Sequence, residues 1–149
     1  MTLVKAMLTT TDAGAEPINF QFNPSSLTIA RKVKWNSEGS RAGGGLPKLS
    51  YSHREPVTLK LQDLWFDTYE NATEKSVLDL IGPIIQATEV VESLKRPPVF
   101  ILAWGDKTYL RCVVTDISYE LTMFLANGTP VRAKVSIDLH EVAAVDVAT

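Results

Sequence analysis

The sequence has little of what most enzymes and metal centres are built from: one cysteine and two histidines in 149 residues. Cys112 has no partner for an internal disulfide and sits in the strand-like run 109–114, where a free thiol packs as a small hydrophobe. A structural zinc needs three or four Cys and His ligands at close spacing, and these three residues are far apart. Acid–base chemistry meets the same shortage. His53 lies beside a glycine-rich stretch and His140 closes an alternating segment on its polar side, so both read as exposed or locally bonded. The carboxylates Asp63, Asp67, Glu70 and Glu74 lack the Asp-x-Asp-x-Asp-Gly pattern of a calcium loop and lie where acids commonly cap a helix. Gly43-Gly44-Gly45 is not followed by the Gly-Lys-Ser/Thr of a phosphate loop. The expectation is a non-enzymatic chain with no catalytic residues, cofactor or metal.

Two further absences narrow the partners. Fifteen basic residues face 17 acidic ones, a formal charge of −2, so no long-range field draws in nucleic acid or an acidic membrane. No stretch approaches the ~20 apolar residues of a membrane span, and residues 1–5 lack the flank and run of a signal peptide. Synthesis in the cytoplasm and no direct membrane insertion are expected. Trp35, Trp65 and Trp104 then read as core or interface anchors rather than base-stacking platforms.

What is present is an ordinary core and a β pattern. Hydrophobic residues make up 45% of the chain at a mean hydropathy of +0.02, enough for one domain spanning residues 1–149. Ile18 to Phe22 and Leu27 to Trp35 alternate, with a change of character at Arg31 that predicts a bulge or barrel edge. Residues 36–52 read as a long, glycine-rich loop, and 56–67 return to strand. Residues 73–95 form the one helical region, capped by Thr73 or Ser76, kinked or split at Gly82-Pro83 and ended by Pro97-Pro98. Three strands follow, turned at Gly105-Asp106 and at Asn127-Gly128, where positive φ values are expected. In the last strand Val131, Ala133, Val135, Ile137 and Leu139 alternate with polar residues. The predicted class is mostly β (α+β): antiparallel sheets forming a barrel-like body with one flanking helix.

Four segments, in order, carry a resemblance. They are Phe20-Gln21-Phe22-Asn23-Pro24-Ser25-Ser26-Leu27, Leu64-Trp65-Phe66-Asp67-Thr68-Tyr69, Arg96-Pro97-Pro98-Val99-Phe100 with Ala103-Trp104-Gly105, and the stretch from Phe124 to Ala133 through Asn127-Gly128-Thr129-Pro130. Together they resemble the tube-initiator, or baseplate adaptor, proteins of contractile injection systems and contractile phage tails. The resemblance implies a tube-protein fold and a homohexameric ring between the spike hub and the inner tube, within a particle that stays in the cytoplasm or is released. Spike or hub protein, inner tube protein and other baseplate proteins are the implied partners. Members of that family often carry a C-terminal LysM module, and the residues after Val142 hold none, so peptidoglycan binding is not carried over. A repeating inner-tube subunit and, from another class, a small-ligand-binding β-barrel are the alternatives.

Two groups of residues are candidates for the interface. Gly43, Gly44 and Gly45 permit rearrangement, and Leu46, Leu49 and Tyr51 are apolar groups that a neighbour would cover. Arg132 and Lys134, on the polar side of the last strand, would pair with carboxylates across a subunit boundary.

Overall fold

The computed structural model describes residues 4–39, 45–69 and 76–143. The expected class is found: antiparallel sheet with one helix. The strands are β1 (Ala6–Thr9), β2 (Ile18–Asn19), β3 (Thr28–Ala30), β4 (Val33–Ser37), β5 (Leu49–Arg54) and β6 (Thr58–Asp67), followed by helix α1 (Val77–Gln86) and strands β7 (Phe100–Trp104), β8 (Lys107–Phe124) and β9 (Pro130–Glu141). Seven strands form one sheet in the order β2-β1-β7-β8-β9-β6-β3, while β4 and β5 pair only with each other. The sheet is open, not closed into a barrel, with short β2 and β3 as its end strands. The enclosed interior that a ligand-binding barrel needs is therefore not formed by the described strands.

The alternation in β9 sets the core. Val131, Ala133, Val135, Ile137 and Leu139 are all buried, and β9 is hydrogen-bonded on both sides, to β8 and to β6. In β6, Leu59 and Leu61 point inward, then a bulge at Gln62 and Asp63 shifts the phase so that Leu64 and Phe66 continue the buried face. Asp63 absorbs the bulge with φ +57°, a left-handed value that aspartate tolerates better than branched residues do. Val77, Ile81 and Ile84 of α1 close the core over β6 and β9.

The helix is shorter than the sequence suggests. Ser76 caps it, its hydroxyl accepting from Leu78 N, whereas Thr73 lies outside the described residues. Gly82-Pro83 does not split it: Pro83 sits inside, forgoing only the bond to the carbonyl of Asp79, and the helix ends one turn later at Gln86. Pro97-Pro98 does not end it either, because turns and a Val91–Arg96 bridge intervene. The stretch is held elsewhere by Asp12, which accepts from Arg96 Nη1 (3.1 Å) and from Val99 N (2.8 Å). The β8–β9 hairpin also differs in detail. Gly128 alone takes a positive φ (+91°); its N–H donates to Leu125 O, and Leu125 N donates to Thr129 O. That is a three-residue connection with glycine at the left-handed position, not a two-residue turn needing two positive φ values.

Candidate assembly interface

At Arg31, where a bulge or barrel edge is expected, the chain instead passes between two strands in different environments, and the register shift falls further on, between Lys34 and Trp35. Upstream, β3 joins the large sheet through β6; downstream, β4 leaves it and pairs with β5 as a two-stranded arm. The stretch read as a loop over 36–52 is thus partly strand, since β4 runs to Ser37 and β5 begins at Leu49. Its short signal is the alternation Leu49-Ser50-Tyr51-Ser52, hidden beside the glycines.

The register gives the arm two unlike faces. Trp35 opposes Tyr51, Ser37 opposes Leu49, and Val33 opposes Arg54; between them Lys34 opposes His53 and Asn36 opposes Ser50. Since side chains alternate along a strand, Val33, Trp35, Leu49 and Tyr51 share one face, and Lys34, Asn36, Ser50 and His53 take the other. Trp35 and Tyr51 meet edge to face at 5.8 Å between ring centroids, yet remain 51% and 62% exposed. Leu46, beyond the strands, is 96% exposed. A two-stranded ribbon with its apolar side bare is marginal in water without a covering surface. Gly45 also lies in this arm, with open space around its Cα, while Gly43 and Gly44 fall outside the described residues.

The arm is fastened at its root. Glu141, at the end of β9, accepts from Val57 N (3.1 Å) and from Arg54 Nη1 (2.8 Å), and Glu55 N donates to Lys32 O. The Val57 N–H first, and then the Arg54 guanidinium, hold the Glu141 carboxyl below its ordinary pKa. His53 is exposed beside Glu55, and half-buried His140 bonds the carbonyl of Glu141, so the two histidines are not brought together.

Arg132 and Lys134 are already engaged within the chain. Arg132 Nε and Nη2 both lie 3.0 Å from Asp67 Oδ2; Lys134 lies 3.7 Å from Glu120, 4.0 Å from Asp63 and 5.8 Å from the Trp65 ring centre. The backbone of Asp67 is clamped by Gln21, whose amide oxygen accepts from Asp67 N (2.7 Å) and whose amide nitrogen donates to Asp67 O (2.9 Å). Three segments far apart in sequence therefore meet here, and with Arg132 and Asp67 the half-exposed rings of Phe22 and Trp65 line a shallow cleft. Trp104 is partly covered and donates to Val4 O. All three tryptophans thus retain surface.

A second open feature is one that composition did not reveal. β8 has 18 residues and β7 only five, so β7 covers one edge of β8 from Lys107 to Cys112 and no described strand continues along that same edge from Val113 to Phe124, while β9 pairs the opposite edge. Along that stretch Ile117, Tyr119 and Leu121 oppose the inward residues Ile137, Val135 and Ala133; Ile117 and Leu121 are half-buried against the core, whereas Tyr119 between them is 45% exposed. Cys112 is fully buried, and burial pushes its thiol pKa up to about 12, as an inert core group requires. Among the described residues no group of His, Cys, Asp and Glu is placed to hold a metal ion, and no helix is long and apolar enough to cross a membrane.

An open sheet with a projecting amphipathic arm and a bare strand edge defines a subunit built for assembly. The sequence matches the contractile injection system tube protein family over residues 2–147, nearly its whole length, and the chain belongs to that family. It is accordingly a structural component of a contractile injection system that assembles with other components of the particle. No curated protein matches the sequence.

Proposed function

We propose that this chain forms a homohexameric ring that joins the spike hub of the baseplate to the inner tube and initiates tube assembly. The observation that carries self-assembly is the arm: an apolar face of Val33, Trp35, Leu49 and Tyr51 that its own chain leaves in water. A ring closes by head-to-tail contacts, so each subunit needs two different surfaces. The arm is one, with Gly43, Gly44, Gly45, Leu46, Leu49 and Tyr51 as contact residues. The face bearing Arg132 and Lys134 belongs to a boundary as well, where their charges extend pairs begun within the chain. The four motif segments support the initiator position, since they resemble segments of the tube-initiator proteins and keep their order.

The family description favours a second reading, a repeating subunit of the inner tube. An initiator offers different upper and lower faces to different partners, whereas a repeating subunit matches itself from top to bottom. Electron microscopy of the purified chain separates them. Isolated six-fold rings are expected; long tubes formed by this chain alone would establish the repeating subunit, and a monomer at high concentration would remove both.

A further inference from the structure

The near-neutral total hides a segregation of charge. Residues 31–55, the arm and its root, hold six basic residues (Arg31, Lys32, Lys34, Arg41, Lys48 and Arg54) against two acidic ones (Glu38 and Glu55), leaving nine basic against 15 acidic elsewhere. A basic, apolar arm on an acidic body suits a surface of the same chain in another copy, because opposite potentials steer and register the contact.

The bare edge of β8 has the matching pattern. Between Asp116 and Leu121 its residues alternate, with Asp116, Ser118 and Glu120 on one face and Ile117, Tyr119 and Leu121 on the other. Across the ladder Asp116 lies directly opposite Asp138, a like-charge pair that is unfavourable in the subunit, and neither carboxylate has an ion pair among the described residues. Proteins blunt open edges with lysine or proline, and residues 113–124 contain neither, although bulges interrupt the ladder at Thr115 and Thr122. In the arm, β4 has the complementary alternation: Lys34 and Asn36 on one side, Val33 and Trp35 on the other, with Lys32 just before it.

We infer that β4 of one copy adds to the open edge of β8 in the next copy, seating Val33 and Trp35 beside Ile117 and Tyr119 and bringing Lys32 and Lys34 to Asp116 and Glu120. This rests on the self-assembly proposed above and specifies which two surfaces meet. Strand addition supplies main-chain hydrogen bonds, and the alternating side chains fix which face is up. The arm's apolar face is covered, the bare edge is paired, and the Asp116–Asp138 pair gains a cation in one step.

Charge exchange tests it. One variant carries Lys32→Glu and Lys34→Glu, a second carries Asp116→Lys and Glu120→Lys, and a third combines all four; mass in solution and melting temperature are measured for each. All the changed side chains are solvent-exposed, so folded subunits are expected throughout. The first two variants should each lose the oligomer. The combined variant should recover it, since an acidic arm then meets a basic edge at every boundary, as should an equal mixture of the first two, in which an acidic arm on a basic edge alternates around the ring with a basic arm on an acidic edge. If wild type assembles and either partial variant does so equally well, or the combined variant and the mixture stay dissociated, the pairing of β4 with β8 is wrong while ring formation stands. If wild type is itself monomeric at high concentration, self-assembly fails, and this pairing with it.

Discussion

The body and the arm put their apolar residues to opposite uses. In the body, 24 hydrophobic side chains are buried by their own chain, including the whole inward face of β9. In the arm, β4 and β5 bury none. Trp35 and Phe66 are each aromatic strand residues, yet Phe66 is 0% exposed and Trp35 51%. On the proposed reading, the difference marks where folding ends and assembly begins. Burial within the chain stabilises the body at about 25 cal/mol per Å² of apolar surface, whereas the same surface on the arm contributes only when a neighbour removes it from water.

The sharpest way to break that comparison is to truncate one aromatic on each side of it. Phe66→Ala should destabilise the folded subunit by about 3–5 kcal/mol, as the loss of a fully buried ring does. Trp35→Ala should change subunit stability by less than about 0.5 kcal/mol, as an exposed substitution does, and reduce assembly instead. Denaturant unfolding of both, with mass in solution, checks this; a large loss of subunit stability in Trp35→Ala would show that the arm belongs energetically to the body.

A smaller effect sharpens the body's side. Asp12 joins the N-terminal loop to the stretch before β7, and the Arg96 guanidinium, helped by Val99 N–H and opposed by partial burial, holds its carboxyl below the ordinary value. Because the folded state binds this proton less tightly than the unfolded state, the stabilisation is complete above the ordinary carboxylate pKa of about 3.9. It disappears as pH falls below that value and through the folded pKa. Asp12→Ala removes an acceptor from Val99 N and should cost about 1–3 kcal/mol at neutral pH. It should also flatten the acid limb of the stability profile below the ordinary carboxylate pKa of about 3.9. A profile of unchanged steepness there would assign the acid loss to other carboxylates.

Much of the body was legible because burial writes a period-two pattern. Val131 to Leu139 specifies a one-sided strand, and Gly105-Asp106 and Asn127-Gly128 both fall at real turns. The arm was less legible for a physical reason: a ribbon outside the core is not held to a long alternation, and Leu49-Ser50-Tyr51-Ser52 is too short to outweigh the glycines before it. Closure into a barrel was over-read, since alternation reports that one face is buried, not how far end strands such as Thr28–Ala30 extend. The helix was over-extended because Val91 fits its apolar stripe, while its actual end is set by Ala87 N–H turning back to Pro83 and Ile84 carbonyls. Of the candidate interface, Leu46, Leu49 and Tyr51 were visible as apolar residues in a polar setting. The bare edge of β8 needed the pairing itself, although the unequal lengths of the segments on either side of Gly105-Asp106 pointed to it.

The β8–β9 turn gives the next test. Gly128→Val forces a branched residue to φ +91° with open space around the new Cβ, so the cost is backbone strain alone, about 1–3 kcal/mol. An unchanged melting temperature would show that the connection relaxes to another turn.

A small effect on folding is also expected from the charges on the polar face of β9. Arg132 and Lys134 occupy the polar face of β9, and each is satisfied within the subunit, Arg132 on Asp67 and Lys134 between Asp63 and Glu120. These side chains are partly exposed, so each pair contributes only about 0–1 kcal/mol, and reversing both residues to glutamate should lower subunit stability modestly. In a ring the same face recurs six times, and a reversed charge meets every copy of the boundary at once. Repulsion that is minor within one subunit then accumulates over six interfaces, so assembly should respond more than folding does. Loss of the oligomer with a folded subunit is the expected result of Arg132→Glu with Lys134→Glu. An intact ring would confine both residues to their partners within the chain and leave the boundary to the arm and the β8 edge.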